Sequence, residues 1–424
     1  MLKFIIKGIL RDRHRSLFPF IIISVGVALA TVFFTYISGF SEDITKTNAI
    51  YDTGHVKIMT RAYEDISEQI PNDLAITQSD SMEDALEKKY PNLDWAPRIK
   101  FAGLLDIPDE EGETRAQTSI NGIAMELLDD KSKEISRFNL DEALQKGHLP
   151  QKPGEILIPS SIADDLELEI GETATLISST ATGGMAVHNF KIAGTIEFGV
   201  GFLDRNTVIA DIEDIRYALN MPNSTGEILG YFENGVYKGE QAQQLKQNFN
   251  KKYSETENKY SPLMLTLEDQ NGLGEMLKLT QMQSYVIIGV FLFVMSLVLW
   301  NSGLMSGIRR YGEIGVRIAI GESKLRVYRE MLVESFIIGF LGSIFGTIIG
   351  LAGGYYLQEV GIDISGMMPN SSVLISSVIR AKVTTTAYYI GFIPGLLATF
   401  IGKAMAGIGI LKRETSQLFR ELET

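Results

Sequence analysis

Apolar residues are gathered into four long runs that hold no charged side chain. They cover residues 17–40, 279–308, 335–358 and 383–402, with lengths of 24, 30, 24 and 20 residues. About 20 apolar residues carry a helix across the hydrocarbon core of a bilayer. The pattern therefore predicts an α-helical membrane protein with four transmembrane helices, one plus three, at 17–40, 284–306, 330–358 and 383–402. The fourth run begins Val383-Thr384-Thr385-Thr386 and carries Pro394-Gly395, which a membrane helix tolerates at the cost of a kink. The first run has the basic front of a secretory signal peptide. It is much longer than a signal's apolar region, and no small-x-small site closes it, so it is expected to stay as a span.

The 41–283 segment has a different, shorter period. His55-Val56-Lys57-Ile58-Met59 alternates polar and apolar, as a half-buried strand does. Residues 95–107 and 115–123 read as strands joined through a polar turn at 108–113. Residues 173–178 and 189–196 read as strands joined at Gly183-Gly184, and 262–267 as a closing strand. Helices are expected at 81–90, 161–166 and 240–253. The sum is a large α/β domain inserted between the first and second spans. Ile37, Phe40, Ile44, Thr47 and Tyr51 recur at spacings of three and four, which extends the first span outward as a helix. Leu273, Leu277 and Thr280 do the same toward the second. A short coiled coil and an ordinary helix end packed on the domain both fit these seams.

Within the third span, Gly342, Gly346, Gly350 and Gly354 recur every fourth residue and share one helical face. Lipid supplies no hydrophobic drive between helices, so close packing of small residues carries their association. This face is expected to pack against another span, in the same chain or across a dimer.

Charge gives the topology. The formal net charge is -13, yet residues 41–283 hold 42 acids against 22 bases, while the rest holds 10 acids against 17 bases. Lys3, Lys7, Arg11, Arg13 and Arg15 precede the first span. Arg309, Arg310, Arg317, Lys324, Arg326 and Arg329 lie in the 307–329 segment, and Lys403, Lys412, Arg413 and Arg420 in the 403–424 tail. The opposite short loop, 359–382, has only Arg380 and Lys382. Basic short loops stay inside, so both termini are expected in the cytoplasm (1–16 being the N-terminal tail) and 41–283 outside.

The acidic balance does not suit a nucleic-acid partner. Cysteine is absent, which excludes disulfides, thiolate metal sites and a cysteine nucleophile. The four histidines are scattered and form no HExxH, so no metal site is expected. There is no GxxxxGK[ST] phosphate loop and no GxSxG elbow. Acid clusters such as Asp109-Glu110-Glu111 read as solvated faces. No catalytic residue is assigned, and the chain is expected to be non-catalytic.

The segment after the second span reads Arg309-Arg310-Tyr311-Gly312-Glu313-Ile314-Gly315-Val316-Arg317-Ile318-Ala319-Ile320-Gly321-Glu322-Ser323. It resembles the EIGxRxAxGAS signature of ABC-transporter permeases of the MacB/FtsX superfamily, with Glu322 where that family usually has Ala. The inserted domain resembles the Lol-type lipoprotein-releasing branch. The resemblance rests on Gly154-Glu155-Ile156-Leu157-Ile158, Leu168-Glu169-Ile170-Gly171-Glu172-Thr173, Phe190-Lys191-Ile192-Ala193-Gly194-Thr195 and Asp211-Ile212-Glu213-Asp214-Ile215, taken in that order.

The resemblance implies that 307–329 is a cytoplasmic coupling segment docking on an ATPase subunit. Arg310, Glu313, Ile314, Gly315, Arg317, Ile318 and Gly321 would be its coupling residues. A lipid-surface turn is the competing reading of this segment. It further implies a periplasmic core domain with porter-like parts at 51–125 and 226–268 and an inserted subdomain at 126–225. The implied partners are a separate cytoplasmic ABC ATPase, which would bind the ATP and Mg, so that this chain holds no cofactor, and a second permease in a homo- or heterodimer. A lipoprotein substrate and a periplasmic chaperone are implied as well. The implied function is lipoprotein release from the bacterial inner membrane, the alternatives being MacB-like export of a small molecule or peptide and FtsX-like regulation of a cell-wall hydrolase. The chain departs from the family in three places. It carries no ATPase domain of its own, its 178–189 hairpin is short and free of Lys and Arg, and its tail lacks Asp-Pro-x-Glu-Ala-Leu.

Overall fold

The computed structural model describes residues 13–109, 111–253, 258–309, 316–364 and 374–412, with side chains apart from those of 13–15, 302–309 and 406–412. The chain divides into two compact units. One is Met1–Glu42, Leu277–Ile362 and Ile379–Thr424; the other is Asp43–Met276 with Asp363–Val378.

The first unit holds the spans. Helices run over Arg13–Asn48, Leu273–Arg309, Lys324–Val360 and Phe392–Lys412, the last preceded by a helical turn at Ala387–Ile390. Among the described residues, four stretches are long and apolar enough to cross a membrane. Two expectations need correction at the fourth. Its helix starts at Ala387 instead of 383, because Thr384, Thr385 and Thr386 form a turn whose carbonyls accept from the N–H groups of Ala387, Tyr388 and Ile390. Pro394 then falls in the first turn of Phe392–Lys412, where an N–H has no helical acceptor to lose, so it has no interior hydrogen bond to break.

The second unit is built on one ten-stranded sheet. Its strands are β1 (Val56–Thr60), β3 (Leu93–Pro108), β4 (Thr114–Met125), β5 (Leu144–Gly147), β6 (Glu155–Pro159), β7 (Thr173–Ser179), β8 (Met185–Ile196), β9 (Thr207–Asp211), β11 (Glu227–Phe232) and β12 (Pro262–Thr266). The short strands β2 (Ile76–Thr77) and β10 (Ser224–Thr225) pair separately. The long strand β3 belongs to two lobes. Its first half pairs with β11 from Leu93 to Arg98, and β11 continues through β1 to β12. Helices α1 (Ser79–Lys89) and α2 (Gly239–Tyr253) supply Leu86, Ala242 and Phe249 to the core of this first lobe, which also holds Val56, Ile58, Trp95 and Met264.

From Ile99 onward β3 pairs with β4 on one side and β7 on the other. The pairs β4–β9, β9–β6, β6–β8 and β8–β7 complete a ring. This second lobe is therefore a closed six-stranded barrel, which leaves no strand edge in the ring unpaired. Phe101, Leu105, Ile107, Ile120, Ile156, Leu176, Phe190 and Val208 fill it. Gly122 makes room for the largest of them, since a Cβ there would meet the Phe101 ring. The subdomain expected at 126–225 begins after β4, whereas strand pairing puts the lobe boundary inside β3, between Arg98 and Ile99.

Strand β1 departs from its half-buried expectation: all five residues are buried. It lies between β11 and β12, and the side of Lys57 that was expected to face water faces carboxylates instead. The loop between the third and fourth spans was expected at 359–382, on the side opposite the basic segments. Its 363–378 stretch belongs to the second unit. Leu374 packs with Val200 and Leu203, Asn48 holds the Leu374 backbone through both its N–H and its C=O, and Ser377 N–H donates to Gly199 O.

Candidate coupling loop and helix-packing face

Of the seven expected coupling residues, Arg310, Glu313, Ile314 and Gly315 lie outside the described residues. The other three shape the turn into the third span. Residues 316–319 end a helix, and Glu322 N–H donates to Arg317 O while Gly321 N–H donates to Ile318 O, both at 3.0 Å. That pair of bonds, with Gly321 at φ +103°, is a Schellman C-cap. A side chain at this left-handed position would be strained, which gives the glycine of Ile320-Gly321-Glu322 a physical reason.

Arg317 ties the turn to the third span. Its Nε lies 2.6 Å from Glu322 Oε2 and its Nη2 3.0 Å from Glu322 Oε1, and Nη2 also pairs with Glu330 in the third span. Glu322, the departure from the family signature, is thus a forked partner for Arg317. Hydrogen bonding to Arg317 holds the Glu322 carboxyl below its ordinary range. Ile318 is half-buried. The apolar surface is carried by Val316, Ile320 and Leu325, exposed by 51, 82 and 53%.

The glycine row lies against the first span of the same chain. Cβ atoms built at Gly346 and Gly350 would stand 2.5 Å from Ser24 O and 2.7 Å from Thr31 Cβ. At Gly342 and Gly354 the nearest atoms are Ile23 Cβ at 3.1 Å and Thr35 Oγ1 at 3.0 Å. All four glycines are buried, and Ser24 Oγ donates to Gly342 O at 3.2 Å. Ile348 and Ile349, on the other faces, are exposed by 59 and 47%. The fourth span uses the same device in a form the sequence pattern did not reveal. A Cβ on Gly391 would crowd Thr31, and one on Gly395 would crowd Val27 and Ser343. These two glycines are four apart, but a row of two carries little signal.

Among the described residues no group of three or more His, Asp or Glu is arranged to hold a metal ion. Sequence reasoning also missed a set of buried charges in the second unit. Lys57, Arg98, Glu134 and Glu227 are each at most 3% exposed. The available signal was a Lys and an Arg placed between apolar residues of central strands.

Residues 19–250 match the family model of the MacB-like periplasmic core domain, and residues 285–415 match that of the FtsX-like permease C-terminal region. The first match alone covers more than half of the chain, which belongs to the MacB/FtsX family of ABC-transporter permeases, multi-pass proteins of the bacterial inner membrane. The chain is 25% identical to the lipoprotein-releasing system transmembrane protein LolC of Xylella fastidiosa over 279 residues, covering 62% of this chain and 61% of the relative. It thus spans about three-fifths of that relative's length. It is 32% identical to the macrolide export ATP-binding/permease protein MacB of Sodalis glossinidius over 79 residues, 19% of this chain and 12% of the relative. The periplasmic region of MacB from Actinobacillus actinomycetemcomitans aligns with a TM-score of 0.36 at 11% identity, covering 53% of this chain and 97% of that one.

Proposed function

We propose that this chain is the membrane subunit of an ATP-driven complex, in which a separate cytoplasmic ATPase subunit binds ATP and Mg and hydrolyses the ATP. The chain itself performs no hydrolysis; it converts the ATPase cycle into movement of its periplasmic domain. The single observation that supports this most is the turn after the second span. There a capped, ion-paired scaffold of Arg317, Glu322 and Glu330 presents Val316, Ile320 and Leu325 outward. Exposed apolar side chains on a rigid frame suit insertion into a partner's groove. The excess of bases in the N-terminal tail, the 307–329 segment and the C-terminal tail supports a cytoplasmic position for that turn and both termini.

Lipoprotein release from the inner membrane is the preferred cargo reading, supported by the LolC relative, whose alignment covers 62% of this chain. A second permease, identical or related, completes the pair. The β7–β8 hairpin turns tightly at Thr180–Gly184, and its 178–189 tip bears no Lys or Arg, so handover to a periplasmic chaperone would use another surface. The test is co-purification in mild detergent with each candidate ATPase of the cell, followed by ATPase and lipoprotein-release assays in proteoliposomes. The reading expects one ATPase to co-purify and to hydrolyse ATP faster in the complex. Absence of any ATPase partner overturns the reading, while stimulated hydrolysis without lipoprotein release overturns the cargo alone.

A further inference from the structure

Four charges, Lys57 and Glu227 buried and Asp52 and Lys100 half-buried, meet where the chain joins the periplasmic domain to its flanking helices. The inbound connection is the π-helical turn Ala49–Thr53, directly after the helix Arg13–Asn48. Its Asp52 pairs with Lys100 of β3 and, at 3.4 Å, with Lys57 of β1. Glu227 of β11 closes the set at 3.1 Å from Lys57 and 3.2 Å from Lys100. Two carboxylates and two ammonium groups balance, which is the condition for keeping charges out of water. Burial pushes the Asp52 carboxyl up, but Lys100 and Lys57 outweigh it and hold the group far below the usual carboxylate range.

The outbound connection reaches the same point. Asn271 Nδ2, two residues before the helix Leu273–Arg309, donates to the second oxygen of Asp52 at 2.5 Å. Gln270 Nε2 donates to Thr53 O at 3.3 Å. A second tie holds the inbound turn from the side: Arg98 Nη1 donates to Ile50 O at 2.7 Å, and its Nε pairs with Glu134 at 2.6 Å.

We propose that Asp52 is a positioning residue which, with Lys57, Lys100 and Glu227, pins both backbone connections of the periplasmic domain to one point of its sheet. A displacement of either connection then moves β1, β3 and β11 directly, with no slack linker to absorb it. The force-transmitting role rests on the ATP-driven reading above; the pin itself does not.

The experiment uses the full chain in lipid nanodiscs and follows amide hydrogen exchange. Asp52→Asn keeps the size and the Asn271 contact region while removing the charge. It should speed exchange at 49–54 and 270–273 by tenfold or more and leave β4, β6 and β9 unchanged. Asp52→Glu should restore most of the protection. With the ATPase present, ATP-dependent changes in β3 and β11 should vanish in Asp52→Asn while hydrolysis continues. The pin is overturned by unchanged exchange at the connections, by loosening of only one of them, by a uniform rise across the barrel strands, or by a Glu variant as loose as the Asn variant. Local loosening with an unchanged ATP response overturns force transmission. If the wild-type chain responds to no ATPase, the functional reading fails, and the partner-free exchange comparison still decides the pin.

Discussion

The glycine face of the membrane helices and the charge cluster of the periplasmic domain solve one problem in opposite ways. Each must hold segments distant in sequence at close range. Between the first and third spans this is done by omission. Four positions without side chains let the backbone of Ser24 and Ala28 approach, and one hydroxyl-to-carbonyl bond crosses the seam. In the domain it is done by addition, with long side chains reaching across strands to end in paired charges. The difference follows from the solvent outside. In lipid an unpaired charge has no refuge, so contact surface does the holding. In water a domain can bury charges where each finds its partners.

The comparison predicts that the glycine face fails by steric excess. Gly346→Leu or Gly350→Leu should reduce assembly or transport by tenfold or more, read by crosslinking between the first and third spans and by activity. Leucine at Ile348 or Ile349 should be tolerated. Equal tolerance at both sets of positions would show the row to be idle. The charge cluster should instead fail by loss of one partner. Lys57→Met leaves the buried Glu227 and the half-buried Asp52 facing one ammonium and should cost about 3 kcal/mol of domain stability, read by thermal or denaturant unfolding. Lys382→Met, which breaks an exposed pair with Glu42, should cost less than about 1 kcal/mol.

A third prediction sharpens the contrast through pH. His55 is buried, its Nδ1 accepts from Phe232 N–H at 2.9 Å, and burial together with Arg137 lowers its pKa to about 4. Between its unfolded value of about 6.5 and 4, only the unfolded chain takes up this proton. Stability from this group is therefore present above pH 6.5 and drains away as pH falls toward 4, by about 3 kcal/mol in all. Unfolding measured across that range should lose this slope in His55→Gln, while the pH response of the spans stays unaltered. The smallest stability effect is expected at the cytoplasmic turn. Glu322→Ala, which restores the family's usual residue, removes the forked partner of Arg317 and should leave the unfolding midpoint nearly unchanged. Reversal of Arg317 to Glu should uncouple the ATPase without unfolding the domain. Normal ATPase stimulation in that variant would make the segment a lipid-surface turn.

The sequence revealed elements better than it revealed neighbours. Apolar runs placed four spans because length and absence of charge are local properties. The β3–β4 hairpin was legible because its polar turn, 108–113, sits between two strand-like runs. Lys57 misled because alternation reports one covered face, and a strand between two neighbours can have both covered. Barrel closure could not be read at all, since β3 meets β7 and β4 meets β9 only through long-range pairing. At the candidate sites, the glycine row was visible as a period, but its partner Ser24 was not. The Arg317 tie to the third span was hidden because Glu330 belongs to the next helix. Asp52 was one acid among 42 in its segment; its role depends on two lysines and an asparagine that only the folded chain assembles.

The contribution of 363–378 to the periplasmic domain sets an order of events during synthesis. The main body of that domain ends at Met276, and its last piece begins at Asp363, roughly 90 residues later. At about 5–20 residues per second, the ribosome delivers that piece on the order of 5–20 s after the body. Until then Val200 and Leu203 wait without Leu374, and the Asn48 side chain waits without its backbone partner. Both intervening spans must be made before the missing stretch can be placed. Completion of the domain is therefore a record, kept in its own packing, that membrane insertion has already succeeded.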